Sequence, residues 1–280
     1  MPHTLTLPNG RSLALDAQPL VMGIVNVTPD SFSDGGLHAG TEAAVSHGAQ
    51  LAAEGAAIVD VGGESTRPGH AAVDAETEAA RVLPVIARLK ERIDAPISID
   101  SYKAEVAEAA LAAGASIVND VWGAQRDPRI AAVAARAGAP IILMHNRETV
   151  DAALDIFDEV LRFLERSIAI ATQAGVAHNQ IVVDPGIGFG KTARQNLDLI
   201  RHLDRLSALG CPVLLGASRK STLGLVTGRT VPAERLAASI AAHLYGASRG
   251  AAIIRVHDVA PHIDALKTWA AIEDKTKAEL

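Results

Sequence analysis

The chain has few cysteines, few aromatic side chains and no excess of basic charge. Its 280 residues contain one cysteine, Cys211, so neither a disulfide framework nor a cysteine-based zinc site can form. Aromatic residues make up 3% of the chain and the formal net charge is -6. These values argue against a nucleic-acid partner, which would require a basic face or a stacking platform. The scarcity of cysteine suits a reducing, cytoplasmic compartment.

Long hydrophobic runs are also missing. Residues 1–12 are polar and lack the apolar centre of a signal peptide. No run of about 18 uncharged apolar residues predicts a membrane span. Apolar residues nevertheless make up 49% of the chain, which is enough for a sizeable core. Since no linker-like or like-charged stretch divides the sequence, we expect one soluble domain over residues 1–280, without a membrane partner.

Short apolar runs alternate along the chain with longer, alanine-rich and charged stretches. Each run is continuous, as expected of a strand that is buried on both faces. The eight runs are Leu20–Val27, Ala57–Gly62, Pro96–Asp100, Ser116–Asp120, Pro140–His145, Ile181–Asp184, Pro212–Ala217 and Ala251–His257. Eight such units in about 260 residues predict an α/β fold, the (β/α)8 TIM barrel. A doubly wound open sheet is the structural alternative.

Local signals predict one hairpin and the ends of several helices. Asn9-Gly10 separates two alternating apolar segments and predicts an N-terminal β-hairpin, which we expect to plug the bottom of the barrel. Asp127-Pro128 begins a helix as N-cap and N1 residues, and Gly138 ends it. Thr192 and Gln195 have the spacing of a capping box.

Polar residues and glycines are concentrated where the apolar runs end. They are Asn26, Gly62–Arg67, Asp100, Asn119-Asp120, His145, Asp184, Ser218–Lys220, Arg255 and His257. The carboxyl ends of barrel strands form the face on which active sites lie. A single Asp or Asn at such a place often only caps the next helix, but the same decoration at all eight ends favours a functional face.

Three familiar catalytic motifs are present only in fragments. The segment Gly186–Thr192 has Pro185 where a Walker loop needs its first glycine, and its glycine spacing does not match G-x-G-x-x-G. The segment Gly216-Ala217-Ser218 has Lys220 where a nucleophile elbow needs glycine. A P-loop NTPase, a Rossmann enzyme and an α/β-hydrolase are therefore disfavoured.

Two kinds of side chain remain at the strand ends. The cationic set, which suits a phosphorylated anion, is Arg67, Lys220, Arg255 and His257. The acceptor set, which suits a flat, donor-rich ring such as an aminopyrimidine, is Asp100, Asn119 and Asp184. Together they predict a heterocycle that carries phosphate or pyrophosphate. Phe32 and Phe189 lie in glycine-containing loops, where stacking on a ligand and local packing are both open.

Taken together, these segments resemble the dihydropteroate synthases of the pterin-binding barrel superfamily. The matching pieces are Met22–Gly36, Asp60–Gly69, Ser98–Asp100, Val118–Asp120, Leu143–His145, Asp184–Lys191, Ser218–Ser221 and Ile254–Asp258. They occur in the family's order and cover nearly the whole chain. The resemblance implies a homodimeric transferase of folate biosynthesis and a target of sulfonamides. It would condense 6-hydroxymethyl-7,8-dihydropterin pyrophosphate with p-aminobenzoate to give 7,8-dihydropteroate and pyrophosphate.

The resemblance also implies a role for each matching site residue. The pterin-binding set is Asp100, Asn119, Met144, Asp184, Phe189, Gly216 and Lys220. The pyrophosphate-binding set is Asn26, Thr66, Arg255 and His257, with Asn26 as the ligand of a Mg²⁺ that arrives on the substrate. The p-aminobenzoate pocket and two mobile loops, 28–37 and 63–70, contain Phe32, Arg67, Pro68 and Ser221. The residues implied in catalysis are Asn26, Lys220, Arg255 and His257.

One segment departs from the family pattern, and alternatives in function stay open. After Met144-His145 the chain lacks the family's Gly-x-Pro-type loop and is predicted to turn helical by about Asp151, which would leave a short loop. A pterin-dependent methyltransferase domain would lack the segments around Lys220 and His257. A non-catalytic pterin-binding paralogue would lack one anion-site residue. A barrel aldolase would need Lys220 as a Schiff-base lysine.

Overall fold

Eight parallel strands close into a barrel in this computed structural model, which describes residues 3–15, 18–28, 36–65 and 73–273, with only the backbone of residues 36–39. The strands are β3 Leu20–Asn26, β4 Ile58–Gly62, β5 Ile97–Asp100, β6 Ile117–Asp120, β7 Ile141–Met144, β8 Ile181–Asp184, β9 Val213–Leu215 and β10 Ala251–Val256. They pair in chain order, and β10 closes the barrel against β3. The predicted (β/α)8 barrel is confirmed, and the open-sheet alternative is wrong.

An antiparallel hairpin precedes the barrel, as the Asn9-Gly10 signal predicted. It consists of β1 His3–Thr6 and β2 Ser12–Leu15. The amide of Leu7 donates to the carbonyl of Arg11 at 2.8 Å, and Gly10 occupies the left-handed region at φ 79°, where glycine pays no steric cost. Leu5, Leu7 and Leu15 are buried against the lower interior of the barrel, which confirms the expected plug.

Alternation along the strands places the polar residues inside the barrel. The lower interior is an apolar layer of Met22, Ile58, Ile117, Ile142, Val182, Leu214 and Ile253. Because successive side chains point to opposite faces of a sheet, the residue two positions further along also faces inward. These upper positions are Ile24, Asp60, Asn119, Met144, Asp184, Gly216 and Arg255. The upper interior therefore carries polar and charged groups directly above this apolar layer.

Nine helices lie within the described part of the chain. They are α1 Gly36–Ala53, α2 Ala75–Lys90, α3 Ala104–Ala113, α4 Arg129–Ala137, α5 Ile156–Gln173, α6 Ala193–Arg201, α7 Ser221–Thr227, α8 Leu236–Ser248 and α9 Val259–Ile272. In these described residues no helix is long and apolar enough to cross a bilayer.

Most of the predicted helix ends are confirmed. Thr192 and Gln195 form the predicted capping box, and Gly138 ends α4 in the left-handed conformation. Pro128 occupies the cap position of α4 and is not its first helical residue. The carboxylate of Asp127 still accepts from the amide of Arg129 at 3.2 Å, so it satisfies one of the free amides of the first turn.

The prediction of a short loop after the seventh strand is wrong. Strand β7 ends at Met144, and α5 begins only at Ile156. Asp151 does not start a helix because its carboxylate accepts from the amide of Ala153 at 2.9 Å, which forms a local turn. Asp155 is the N-cap, and its Oδ1 accepts from Phe157 and Asp158. The segment between β7 and α5 is therefore a longer loop than the sequence suggested.

Candidate active site

Arg255 ties together the carboxylates at the centre of the barrel mouth. Its Nε donates to Oδ2 of Asp60 at 2.7 Å, and its Nη2 donates to Oδ2 of Asp100 at 2.6 Å. Asn119 donates from Nδ2 to the same Asp60 oxygen at 3.1 Å. Residues of four strands thus meet in one network. Although burial opposes its charge, Asp60 and Asp100 hold the pKa of Arg255 above its ordinary value.

Two carboxylate oxygens in this network accept no hydrogen bond from the part of the chain that the structure describes. Among the described residues, Oδ1 of Asp60 and Oδ1 of Asp100 are buried and accept no hydrogen bond. A buried acceptor without a donor is costly, and burial raises the pKa of Asp100 to about 7 although Arg255 lowers it. Acceptors held in this state are suited to a ligand that supplies several N–H donors.

Asp184 presents a third carboxylate beside this network. Its Oδ1 accepts from the amide of Gly186 at 2.7 Å, and burial raises its pKa to about 6 although that amide lowers it. Gly216 follows β9 next to it. A Cβ on Gly216 would lie 3.8 Å from Oδ2 of Asp184 and 3.9 Å from Cβ of Arg255. The missing side chain at 216 thus keeps the space between Asp184 and Arg255 open.

The glycine-rich segment after β8 is pinned by a buried lysine. The Nζ of Lys191 contacts Nδ1 of His145 at 2.7 Å and the carbonyls of Gly186 at 2.7 Å and Phe189 at 3.0 Å. Three acceptors thus match the three N–H groups of an ammonium, while burial lowers the pKa of Lys191 to about 7. A Cβ on Gly186 would lie 1.9 Å from the carbonyl oxygen of His145, so this close approach requires glycine.

Lys220 and Phe189 form one wall of the mouth. The Lys220 ammonium lies 4.2 Å from the centre of the Phe189 ring, within the range of a cation–π interaction. A Cβ on Gly188 would approach Cδ of Lys220 to 3.1 Å. The loops after β8 and β9 therefore pack against each other, and they present the aromatic face and the cation side by side.

His257 follows β10 and contacts the loop after β9. Its amide donates to Oγ of Ser218 at 3.2 Å, and its Nδ1 lies 3.0 Å from the same oxygen. Burial, together with Arg219 and Arg255, lowers the pKa of His257 to about 3. In the ligand-free barrel His257 is therefore a neutral imidazole at pH 7, so it can offer hydrogen bonds to an anion but no charge.

A buried cluster anchors the segment that follows β4. Lys103 pairs with both Glu64 and Glu78. Burial raises the pKa of Glu78. Burial by itself would lower the pKa of Lys103, but the hydrogen bonds to Glu64 and Glu78 raise it above its ordinary value. The segment that leads to residues 66–72 thus starts from a fixed point beside β5.

Similar proteins are found for nearly the whole chain. Residues 22–257 match the model of a family described as pterin binding enzyme. The dihydropteroate synthase of Bacillus subtilis (strain 168) is 47% identical over 248 residues, 89% of this chain and 86% of that protein.

The chain belongs to the pterin-binding enzyme family.

Solved structures of pterin-binding family members agree with this assignment. The dihydropteroate synthase of Xanthomonas albilineans with 4-aminobenzoic acid is 50% identical, has a TM-score of 0.93 and is matched over 98% of this chain and 99% of its own. The same enzyme in complex with 7,8-dihydropteroate is 49% identical, with a TM-score of 0.87 over 95% and 97% of the two chains. The resemblance to dihydropteroate synthases is thereby confirmed.

Most of the predicted site residues lie together at this mouth of the pterin-binding barrel. Those that line it are Asp100, Asn119, Met144, Asp184, Phe189, Gly216, Lys220, Arg255 and His257. Asn26 ends β3, beside the end of β4. Ser221 is exposed and begins α7. The predicted residues Phe32, Thr66, Arg67 and Pro68, with most of the loops 28–37 and 63–70, lie outside the described residues.

Sequence reasoning assigned no role to Asp60 and Lys191. Asp60 is fully buried in the middle of β4 and accepts from two site residues. The signal was available, because a charged residue inside an otherwise apolar strand requires a buried partner. Lys191 lies in the rejected phosphate-loop motif and ends the matching segment Asp184–Lys191, but neither pattern indicates that its ammonium binds the carbonyl of Phe189.

Proposed function

We propose that this barrel is a dihydropteroate synthase that joins 6-hydroxymethyl-7,8-dihydropterin pyrophosphate to p-aminobenzoate. The observation that carries this proposal is the pair of carboxylate oxygens on Asp60 and Asp100 to which no described residue donates, set beside Asn119 and Asp184. A pterin edge brings amino and ring N–H donors, which these acceptors lack. Membership of the pterin-binding family and the high identity to dihydropteroate synthases support the same activity.

The pterin ring enters between the acceptors and the wall made by Phe189 and Lys220. Asp184 and Asn119 read its donor edge, and Gly216 leaves room for the ring. Met144, which is buried at the end of β7, closes the apolar side. The Lys220 cation, which lies over Phe189, is placed to bind acceptor atoms of the same ring.

Bond breaking requires the pyrophosphate to leave with the electron pair of the carbon–oxygen bond. The electron-rich pterin stabilises the cation that remains. The amine nitrogen of p-aminobenzoate then forms the new carbon–nitrogen bond and loses a proton. No covalent enzyme nucleophile takes part, and Ser218, which is buried and bonded to His257, does not serve as one. Arg255 and His257 bind the departing pyrophosphate, and Thr66 belongs to the same predicted set.

Mg²⁺ fits this scheme as an ion that arrives on the substrate. Among the described residues no group of three or more His, Cys, Asp and Glu could hold a metal. Asn26 supplies one neutral oxygen, a hard donor of the kind that Mg²⁺ accepts while water and phosphate oxygens complete its shell. When bound, the ion would neutralise charge on the leaving group. On the protein side, Asn26 would hold it.

The p-aminobenzoate pocket is the second half of the proposal. Phe32, Arg67, Pro68 and Ser221 form it when the loops 28–37 and 63–70 close over bound pterin and pyrophosphate. Sulfonamides, which mimic p-aminobenzoate, compete there. Hydrogen exchange of both loops with and without these ligands tests the closure, because unchanged protection would contradict it.

Assembly and compartment are proposed on separate grounds. A homodimer is supported by exposed apolar side chains on and after α7, where Leu225 is 74% and Val226 is 65% exposed. Light scattering of the wild type and of Leu225→Glu tests it, since the variant should shift toward the monomer. A cytoplasmic location is supported by the single cysteine.

The decisive experiment for the activity is pyrophosphate release by the purified protein. Release should depend on the pterin substrate, on p-aminobenzoate and on Mg²⁺, and dihydropteroate should form in equal amount. Release without p-aminobenzoate would indicate a hydrolase. Binding of pterin without any turnover would indicate the non-catalytic paralogue.

A further inference from the structure

Two buried histidines join α8 to α9 beneath the active-site loops. The amide of Ala217 donates to Nε2 of His243 at 3.1 Å. Nδ1 of His243 lies 2.9 Å from Nε2 of His262, and Nδ1 of His262 lies 2.6 Å from the carbonyl oxygen of Asp258. The two side chains are at most 1% exposed. The chain of contacts therefore runs from the loop after β9 to the loop after β10.

Only one arrangement of protons satisfies this chain. The Ala217 amide can only donate, so Nε2 of His243 carries no proton and its Nδ1 must carry one. That N–H donates to Nε2 of His262, which in turn must be bare. His262 then holds its proton on Nδ1 and donates to the Asp258 carbonyl. Both rings are neutral, in agreement with burial, which lowers the pKa of each below its ordinary value.

The same helix face holds the loop after β9 at a second point. Ser239 lies one turn before His243 on α8, and its Oγ accepts from the amide of Arg219 at 2.9 Å. Nη1 of Arg235 donates to the carbonyl of Arg219 at 2.9 Å. Arg219 adopts the left-handed backbone conformation at φ 57°, which a non-glycine residue keeps only when its surroundings hold it.

The loop after β10 is held from the same two sides. The carbonyl of Asp258 accepts from His262, and its carboxylate takes two hydrogen bonds from Arg219, at 3.0 Å and 2.5 Å. Ser218 accepts from the amide of His257. The two loops are thus fastened to each other above and to α8 and α9 below. They carry Lys220, Ser221 and His257.

We propose that His243 and His262 are positioning residues: a one-directional relay of hydrogen bonds between two neutral rings that holds Lys220 and Ser221 in register with His257. This inference rests on the proposed function only for its effect on turnover. The relay itself depends only on the tautomers of the two imidazole rings. Neither histidine touches a reacting atom, and both act through the backbone of residues 217 and 258.

Ring tautomers give the direct test. Long-range proton–nitrogen spectra of the nitrogen-15-labelled full-length protein at pH 7 report the protonation of each histidine ring. The variants His243→Gln and His262→Gln identify the two signals among the ten histidines. We expect both rings to be neutral with the proton on Nδ1. A proton on Nε2 of either ring, or on both nitrogens, would overturn the relay whatever the enzyme's activity.

Kinetics separate positioning from simple stabilisation. His243→Leu removes the acceptor of the Ala217 amide, and a small displacement of the loop should lower kcat/KM for the pterin pyrophosphate by about 10- to 100-fold. His243→Gln keeps an acceptor near that amide and should recover most of the loss. Leu266→Ala, one turn beyond His262 on α9 and buried in the main apolar cluster, is the control for lost packing.

The outcomes distinguish the possible roles. Leu266→Ala should lower the Tm by an amount comparable to His243→Leu and leave both KM values and kcat within about threefold of wild type. Equal kinetic losses in the two variants, or no recovery in His243→Gln, would show that the pair is only structural. A wild type that releases no pyrophosphate would contradict the proposed function, and the tautomer test would still decide the relay.

Discussion

The guanidinium of Arg255 on β10 reaches Asp60 on β4, with Nε 2.7 Å from Oδ2. Asp60 is fully buried, Arg255 is partly buried, and Asn119 donates to the same Asp60 oxygen. Arg255, predicted as an anion-binding residue, is therefore also the counter-ion of the two carboxylates proposed to accept hydrogen bonds from the pterin. In the proposed site, the pterin and the pyrophosphate of the substrate therefore both lie beside Arg255.

Asp60→Asn should lower both stability and pterin affinity. The change removes the negative charge of the oxygen to which Arg255 and Asn119 both donate. Both hydrogen bonds are therefore weakened. We expect the free energy of unfolding in urea to fall by about 1–3 kcal/mol and the affinity for a bare pterin to fall at least tenfold. Glu42→Gln is the control, because its pair with Arg88 is exposed and should contribute under about 1 kcal/mol. Equal effects of both changes would remove Asp60 from the site.

Asp184→Asn should weaken pterin binding while the fold is retained. The amide keeps the shape of the side chain but presents a donor in place of one acceptor. The expected loss is about 2–4 kcal/mol in binding free energy, measured by calorimetry. Asp198→Asn on α6, where the carboxylate pairs with a largely exposed Arg194, should leave binding unchanged. An Asp184→Asn affinity within threefold of wild type would show that this carboxylate does not read the pterin.

Gly216 and Gly186 should respond to substitution in opposite ways. A Cβ at 216 meets only ordinary contacts, so Gly216→Val should leave the Tm nearly unchanged and reduce pterin affinity by filling the space beside Asp184. Gly186→Ala places its Cβ against the His145 carbonyl in a left-handed backbone. It should lower the free energy of unfolding by about 1–3 kcal/mol. Normal pterin binding by Gly216→Val would place the ring elsewhere.

Pterin affinity should fall as the pH drops from 8 to 5. Asp100 and Asp184 have pKa values raised by burial to about 7 and about 6 in the free protein. Binding of N–H donors favours the carboxylates, so their pKa values fall in the complex. Protons must then be released on binding at acidic pH, and each such proton weakens affinity by up to tenfold per pH unit.

Calorimetry in two buffers of different ionisation enthalpy measures that proton release. Asp184→Asn should remove the part that appears near pH 6. Proton uptake, or an affinity independent of pH after correction for the pterin's own ionisation, would contradict the assignment of these carboxylates as acceptors.

Local patterns were sufficient for the strands and for the face on which the site lies. The eight apolar runs match the strands to within two residues, because a strand that is buried on both faces is a continuous run of apolar residues. The helix caps at Thr192 and Gly138 were equally readable, since their hydrogen bonds join near neighbours. The loop after β7 was misread because the turn at Asp151 competes with helix formation, and side-chain bonds such as that from Gln195 to its carbonyl stabilise it.

The sequence by itself determined the barrel, its plug and the set of polar residues at one end. Which of these residues contact one another was decided only by the tertiary structure. Arg255 and Asp60 are 195 residues apart, and the local sequence around either residue does not indicate which residue it pairs with. His243 and His262 lie on two successive helices, 19 residues apart, and no local pattern around either one indicates their contact. Pairings of this kind arise when closure of the barrel brings distant strand ends together, because hydrogen bonding and charge depend on distance in space and not on separation along the chain.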